Sequence, residues 1–204
     1  ITPHSFFLGV RGFFMPAIGW KRHTALGRTR RRPPNPAPPT GPFSHCKPSG
    51  SPPDTDQLPA VHLTHAEAQA YCQWAGGRLP TAAEWRTAGF TELRSQPPTP
   101  WVRGTTYPWT TGHSPQGANT GDPDPWPRAA PVNATAAGVN GLHDMGANVW
   151  EWAADARGEE RRTMGGSWWY PASQMRADVE AWKPADFYAV YIGFRCVYDP
   201  VKQR

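Results

Sequence analysis

The chain of 204 residues has no apolar run long enough to cross a bilayer. The most apolar stretch, residues 5–20, is interrupted by Arg11 and Pro16. It also lacks the order of charged, apolar and small residues that marks a secretory signal peptide. We therefore expect no membrane span, and the default expectation for the location is cytoplasmic.

Cysteine and histidine are scarce and lack the spacing of metal sites. Cys46, Cys72 and Cys196 are the only cysteines and none belongs to a CxxC motif, while the seven histidines show neither HxH nor HxxxH spacing. A zinc cluster is therefore not predicted. Because Cys72 falls on a predicted helix and Cys196 on a predicted strand, we expect both to be buried free thiols.

The basic residues also lack aromatic partners in the sequence. The net charge of +5 comes partly from a run of arginines at residues 28–32, which lies beside prolines. A basic chain can contact nucleic acid, but proteins that bind single strands interleave basic and aromatic residues. We interpret the run as a solvated loop, and we do not expect a nucleic-acid partner.

Proline, glycine and tryptophan are plentiful, with 25, 20 and 11 residues respectively. Proline and glycine interrupt regular elements, so a loop-rich protein is expected. Residues 1–20 read as a strand or hairpin and residues 28–59 as an irregular loop. We divide the chain into an N-terminal region at residues 1–57 and a domain at residues 58–204.

Two capping boxes predict two short helices. In each, a threonine is followed three residues later by a glutamate, as in Thr64 with Glu67 and Thr81 with Glu84. After the first box, Ala68 and Cys72 recur at helical spacing, and a Gly-Gly pair at residues 76–77 ends the helix.

Strands are predicted around residues 149–153, 163–169 and 191–199, where apolar residues cluster between turn residues. Residues 91–140 consist mostly of turn-forming residues, which is long for a connection without secondary structure. Two helices and several short antiparallel strands in a loop-rich chain predict an α+β fold.

The motifs RLPTAAEW, NVWEW, GGSW and GFR occur in this chain in that order. Their combination resembles the formylglycine-generating-enzyme type of sulfatase-modifying domain over residues 58–199. The resemblance implies a loop-rich subtype of the C-type lectin fold. One position departs from the family pattern, since Ala147 stands where a glycine usually precedes the asparagine of NVWEW.

The resemblance also implies a copper site, formed in the family's enzymes by two cysteines that follow GGSW closely. In this chain Tyr170 and Met175 stand near those positions, and no cysteine occurs there before Cys196. Copper(I) requires soft ligands such as a thiolate pair. We therefore predict no catalytic residues, no required cofactor and no enzymatic activity, with cysteine oxidation as the least favoured alternative.

Within this fold, the segment between GGSW and GFR resembles the variable region of proteins encoded by diversity-generating retroelements. In those proteins the framework is constant and the side chains between the two motifs vary. The resemblance implies a protein or other macromolecular ligand, bound by residues 169–191. A binding module of the same fold without diversification is the alternative. The expected contact residues are Trp169, Tyr170, Ser173, Gln174, Asp178, Val179, Glu180, Trp182, Lys183, Phe187, Tyr188 and Tyr191.

Among the aromatic residues near this segment, we expect Trp168 in the core and Tyr170, Trp182 and Phe187 on the surface. A structural calcium site is also implied by the resemblance, with Glu151 of NVWEW as one ligand and Asn119 at a second site. Calcium prefers such oxygen ligands. The alternative for Glu151 is a buried carboxylate that accepts hydrogen bonds from backbone N–H groups.

Overall fold

A computed structural model describes residues 57–97, 107 and 117–199, together with the backbone of a short strand near the N-terminus. The predicted basic loop and Cys46 lie outside these residues, as does most of the predicted N-terminal hairpin. No helix in the described ranges is both long and apolar enough to cross a membrane. The elements in chain order are β1 (Met15–Pro16), α1 (His65–Trp74), α2 (Ala82–Phe90), β2 (Trp150–Arg157), β3 (Glu160–Met164), β4 (Ala181–Pro184) and β5 (Ile192–Cys196).

Both helices begin at the predicted capping boxes. The Thr64 hydroxyl accepts the Glu67 N–H at 3.4 Å, and the Glu67 carboxylate accepts the Thr64 N–H at 2.8 Å. Thr81 and Glu84 make the same reciprocal pair at 3.2 and 2.8 Å. Each box satisfies two N–H groups that a helix start would otherwise leave without acceptors.

The five strands form one sheet in the order β1-β5-β2-β3-β4. Strands β2 and β5 are parallel, with Glu151 opposite Gly193, whereas the other neighbouring strands are antiparallel. The prediction of antiparallel strands was therefore wrong for this central pair. A parallel pair needs a long crossover, and the residues between β3 and β5 supply it.

Strand β4 was not predicted from the sequence. It pairs with β3 at the edge of the sheet, with Trp182 opposite Arg162. Its last residue is Pro184, which lacks an N–H group and is tolerated in edge strands. This strand lies in the middle of the predicted variable segment and fixes that part of the segment to the sheet.

Cys72 in α1 and Cys196 in β5 form a disulfide, with a Cα–Cα distance of 5.4 Å. The prediction of two free thiols was therefore wrong. The two residues are 124 positions apart, so spacing in the sequence gave no indication of the pair. The bridge lies in the core beside Leu63 and Trp152. Closing so long a loop disfavours the unfolded chain by roughly 4–5 kcal/mol in the chain-entropy treatment.

A buried ion pair joins the two central strands. The Arg195 guanidinium donates to the Glu151 carboxylate at 2.5 and 2.6 Å, and the Trp85 indole donates to the same carboxylate at 2.7 Å. Arg195 also donates to the carbonyl groups of His143 and Asp144. The side chains of the pair are only 2% and 6% exposed, so their charges depend on each other for stabilisation.

Replacing Glu151 by glutamine should destabilise the protein by about 3–5 kcal/mol, because the Arg195 charge would stay buried without a counter-charge. Urea unfolding followed by circular dichroism measures the loss. Glu160→Gln is the matched control, since Glu160 pairs with the exposed Arg157. The control should cost less than about 1 kcal/mol. Equal small losses in both variants would contradict the importance of the buried pair.

His65 should make the stability depend on pH. Burial lowers its pKa below the ordinary value of 6.5, and Arg161 acts in the same direction against the Ala153 carbonyl. Because the unfolded chain takes up this proton more readily, stability should fall as the pH drops below 6.5 towards the folded-state pKa. Thermal unfolding from pH 7 to pH 5 measures this dependence.

His65→Gln should reduce the slope of stability against pH over that range. Glu84 and Glu92 have pKa values lowered to about 2, so their stabilising contributions are lost below the ordinary value of 4.5 and do not mask the effect. An unchanged slope in the variant would assign the pH dependence to other groups.

Candidate ligand-binding face

The crossover from β3 to β5 begins at a rigid corner. Gly165 and Gly166 have φ values of 92° and 76°, a region that glycine adopts without steric penalty. A Cβ atom on Gly166 would overlap the side chain of Met175. The Gly-Gly pair of the GGSW motif is therefore required by both backbone conformation and packing.

Main-chain hydrogen bonds fix the crossover at both ends. Near its start, the Trp168 N–H donates to the Asn148 carbonyl at 2.9 Å, and the Gly121 N–H donates to the Tyr170 carbonyl at 2.8 Å. Near its end, the Trp150 N–H donates to the Tyr191 carbonyl at 2.9 Å. The path of the chain is thus held at both ends by backbone groups.

Four aromatic rings meet where these two ends come together, and we name them the aromatic face: Trp168, Trp169, Tyr170 and Tyr191. Ring centroids lie 5.1 Å apart for Trp168 and Trp169, 6.3 Å for Trp169 and Tyr191, and 5.8 Å for Tyr170 and Tyr191. Tyr170 rests edge-on against the buried Trp150 at 5.8 Å. Trp169 is 62% exposed, so a large ring lies in solvent on an aromatic support.

Tyr188 and Val190 add further exposed apolar surface close to the end of the segment, each 54% exposed. The Tyr188 ring packs edge-on against His62 at 4.7 Å. The His62 N–H in turn donates to the carbonyl groups of Ala189 and Ile192, at 3.1 and 3.2 Å. His62 was not predicted as a contact residue, because nothing in the sequence just before α1 indicates its position. Val190 was not predicted as a contact residue either, since it is an aliphatic residue among aromatic ones.

The predicted contact residues divide by exposure into two groups. Five are exposed: Trp169, Ser173, Asp178, Glu180 and Tyr188. Seven are half-buried: Tyr170, Gln174, Val179, Trp182, Lys183, Phe187 and Tyr191. Fewer than half of the predicted contact residues are therefore exposed to solvent.

Individual aromatic residues differ from their predicted placement. Tyr170 and Phe187 pack against the core, and the Trp182 ring lies beneath the guanidinium groups of Arg157 and Arg162. The expectation that these three rings lie on the surface was therefore too simple. Trp168, expected in the core, is half-buried.

The residues after GGSW do not fit a copper site of the thiolate type. Met175 is 1% exposed and packs with Ala118 and Ala147. Tyr170 supplies a phenol, and burial raises its pKa, which disfavours an anionic ligand. Cys72 and Cys196 are linked to each other. Tyr170 and Met175 therefore do not supply the thiolate pair that copper(I) requires, and we assign no reaction to copper at these positions.

Glu151 does not fit a calcium site, because its carboxylate is balanced by the Arg195 guanidinium and accepts the Trp85 indole. Asn119 differs, since its side chain is fully buried and its Oδ1 atom accepts no hydrogen bond from the protein. Its Nδ2 group donates to the Arg128 carbonyl at 2.8 Å. Across the part of the chain that the structure describes, no group of three His, Cys, Asp or Glu side chains could hold a metal ion. Calcium at Asn119 stays a prediction.

The mixed sheet, the two capped helices and the long irregular crossover define the loop-rich C-type lectin fold. A solved structure of Treponema denticola variable protein 1 has the same fold, with a TM-score of 0.57 and 18% identity. The similarity covers 74% of this chain and 76% of that chain. The predicted fold class is thereby confirmed.

Residues 36–200 match the sulfatase-modifying factor enzyme 1-like domain, and the chain belongs to this family. Formylglycine-generating enzyme from Thermomonospora curvata is 32% identical over 76% of this chain and 60% of its own length. Inactive C-alpha-formylglycine-generating enzyme 2 from Mus musculus is 30% identical over 89% of this chain and 58% of its own length. The chain thus spans about three fifths of these relatives. The boundary predicted between residues 57 and 58 stays a prediction.

The prediction that the chain is not an enzyme was wrong as a statement about its family. It rested mainly on the missing cysteine pair, whereas the similarity extends to formylglycine-generating enzyme over most of the chain. A relative named as inactive shows that some members of the family lack activity. Membership therefore places the chain in an enzyme family, and one missing ligand pair does not decide its chemistry.

Gly121→Ala should displace the start of the crossover, because the added Cβ would lie 3.0–3.3 Å from backbone atoms of Tyr170 and Trp169. We expect a stability loss of about 1–3 kcal/mol and shifted indole N–H resonances of the aromatic face. Gly158→Ala is the control, since Gly158 has positive φ but open space around it. The control should lose about 1–2 kcal/mol without those shifts, and unshifted resonances in Gly121→Ala would contradict the contact.

Proposed function

We propose that this chain binds a protein or other macromolecular ligand through the aromatic face and the adjacent Tyr188, on a segment diversified as in the variable proteins of diversity-generating retroelements. The observation that carries the proposal is the exposed Trp169 ring, packed among half-buried aromatic rings on a segment whose two ends are fixed by backbone hydrogen bonds. The Trp169 ring is the most exposed large side chain of this cluster.

Physical chemistry favours these residues as contacts. Tryptophan and tyrosine supply a large contact area with few rotatable bonds, so little conformational entropy is lost on binding. Residues of these types dominate the energetics of many interfaces. Because the rings of Trp168 and Tyr191 pack against Trp169, the Trp169 ring is partly ordered before a ligand arrives.

The arrangement also tolerates change at the positions where change is proposed. The hydrogen bonds of Trp168, Tyr170 and Tyr191 at the ends of the segment use main-chain atoms, which any residue except proline at a donor position supplies. Ser173 and Asp178 are exposed, so their replacement leaves the core unchanged. A fixed binding module of the same fold is the alternative, and it predicts the same contacts without variation.

Sequencing the 3′ end of the gene in many cells or isolates tests the diversification. We expect substitutions to concentrate at codons 169–191 and to be absent from the codons of GGSW and GFR. An invariant segment would reject diversification and leave a fixed binding module.

Selection of displayed random peptides on the full chain tests the binding face. The double variant Trp169→Ala and Tyr188→Ala should reduce recovery of the selected peptides at least tenfold, as expected for loss of central aromatic contacts. Leu93→Ala is the matched control, since Leu93 is exposed at 41% just beyond the end of α2. Equal recovery on the double variant and the control would place binding elsewhere.

Mass spectrometry of the bound peptides adds a test of family chemistry. Peptides recovered unmodified are expected if the face binds without reacting. Conversion of a peptide side chain during incubation would instead assign an enzymatic reaction to this chain, in keeping with its family.

A further inference from the structure

A second cluster lies on the sheet between α2, β3 and β4, and it consists almost entirely of hydrogen-bond donors. The Trp182 ring contacts two guanidinium groups, with the Cζ atoms of Arg157 and Arg162 at 4.7 and 5.0 Å from the ring centroid. Arg162 and Trp182 are cross-strand partners, and Arg162 is buried. Burying a guanidinium is unfavourable unless its charge and its N–H groups are satisfied.

Arg162 and Arg86 of α2 converge on one carboxylate oxygen. Arg162 Nη2 forms an ion pair with Glu180 Oε1, and Arg86 Nη2 lies 3.4 Å from the same atom. The two guanidinium groups hold the pKa of Glu180 below its usual range, so this carboxylate is ionised. One negative charge therefore faces two positive charges, and one oxygen atom serves both.

Three buried N–H groups in this cluster have no acceptor in the protein. They are Arg86 Nε, Arg162 Nε and Trp182 Nε1. A buried donor without an acceptor is unfavourable, and more so when the group is charged. The cluster thus has more donors and more positive charge than its single carboxylate can satisfy.

We infer that Arg86, Arg162 and Trp182 form a binding site for a tetrahedral oxyanion, phosphate or sulfate, either free or as an ester group. Such an anion carries several acceptor oxygens, which match the unsatisfied donors, and arginine binds it through paired N–H groups. Two charges on the anion balance two guanidinium groups. Arg157 takes no part in this balance, since Glu160 neutralises it at 2.7 Å.

Glu180 is the internal competitor of this anion. Its side chain is 54% exposed, so it can turn into solvent when an oxyanion enters. The site uses α2, β3 and β4 and includes no member of the aromatic face, so phosphate binding and peptide binding at Trp169 are measured separately. Glu180 and Trp182 lie within residues 169–191, so the inference requires these two positions to stay constant if the rest of the segment varies. Its failure and the failure of peptide binding at Trp169 are separate outcomes.

Titration of the full chain with inorganic phosphate, followed by the Trp182 indole N–H resonance, tests the site. Sodium chloride at equal ionic strength is the reference. We expect saturable shifts with phosphate and sulfate and none with chloride. Arg86→Ala, which removes a partly exposed side chain, should weaken binding about tenfold, and Glu180→Gln should tighten it by a similar factor.

Two further variants separate a specific site from general charge effects and from misfolding. Arg176→Ala removes an exposed arginine that pairs with Asp178 outside the cluster, and it should leave phosphate binding unchanged. Arg162→Lys keeps the charge but loses the planar fork, so binding should weaken while the fold is retained. Equal shifts with chloride, or no change in Arg86→Ala and Glu180→Gln, would overturn the inference.

A phosphoserine peptide distinguishes the two sources of the anion. Tighter binding of the peptide than of inorganic phosphate would assign the site to an ester group on a polypeptide. Equal affinity would assign it to the free oxyanion.

Discussion

The ion pair between Glu151 and Arg195 is the interaction on which the rest of the structure depends. It joins the parallel strands β2 and β5 and draws in Trp85 from α2 and two carbonyl groups from the preceding loop. In a low-dielectric interior, a fully satisfied network of this kind specifies one arrangement of its elements. Both ends of the crossover lie beside β2 and β5. By fixing these two strands, the ion pair therefore also fixes the positions of the residues that form the aromatic face.

The disulfide and the helix caps stabilise the same framework. Cys72 ties α1 to β5, and the capping boxes fix where α1 and α2 begin. The crossover, by contrast, depends at its ends on glycine conformation and main-chain hydrogen bonds. The residues that stabilise the framework therefore differ from those that fix the path of the crossover. This division is typical of folds that present loops on a rigid base.

Local features of this fold could be predicted from the sequence, and long-range pairings could not. The capping boxes and the apolar run of β2 are contained within a few residues, so both were found. For Glu151 the family resemblance implied calcium, with a buried carboxylate as the alternative, because nothing near Glu151 in the sequence reveals Arg195, 44 residues away. The disulfide and the parallel pairing of β5 likewise depend on contacts between distant segments.

In the candidate site, too, local features could be predicted from the sequence and long-range contacts could not. The segment at residues 169–191 was located by the motifs at its ends, but exposure within it depends on what packs beneath each ring. Tyr170 and Phe187 proved half-buried because the core extends under them, and Trp182 because two arginines from β2 and β3 cover it. The spacing of these aromatic residues in the sequence does not distinguish the half-buried rings from the exposed Trp169.

The two ends of the crossover are bonded to Asn148 and Trp150, which are separated by a single residue. The segment is therefore a closed loop whose entry and exit nearly coincide. The entropy of closing such a loop grows slowly, by about 0.6 kcal/mol for each doubling of its length. The irregular stretches on either side of β4 could therefore change in length while β4 keeps its pairing with β3, so this fold suits grafting of foreign loops at those two places.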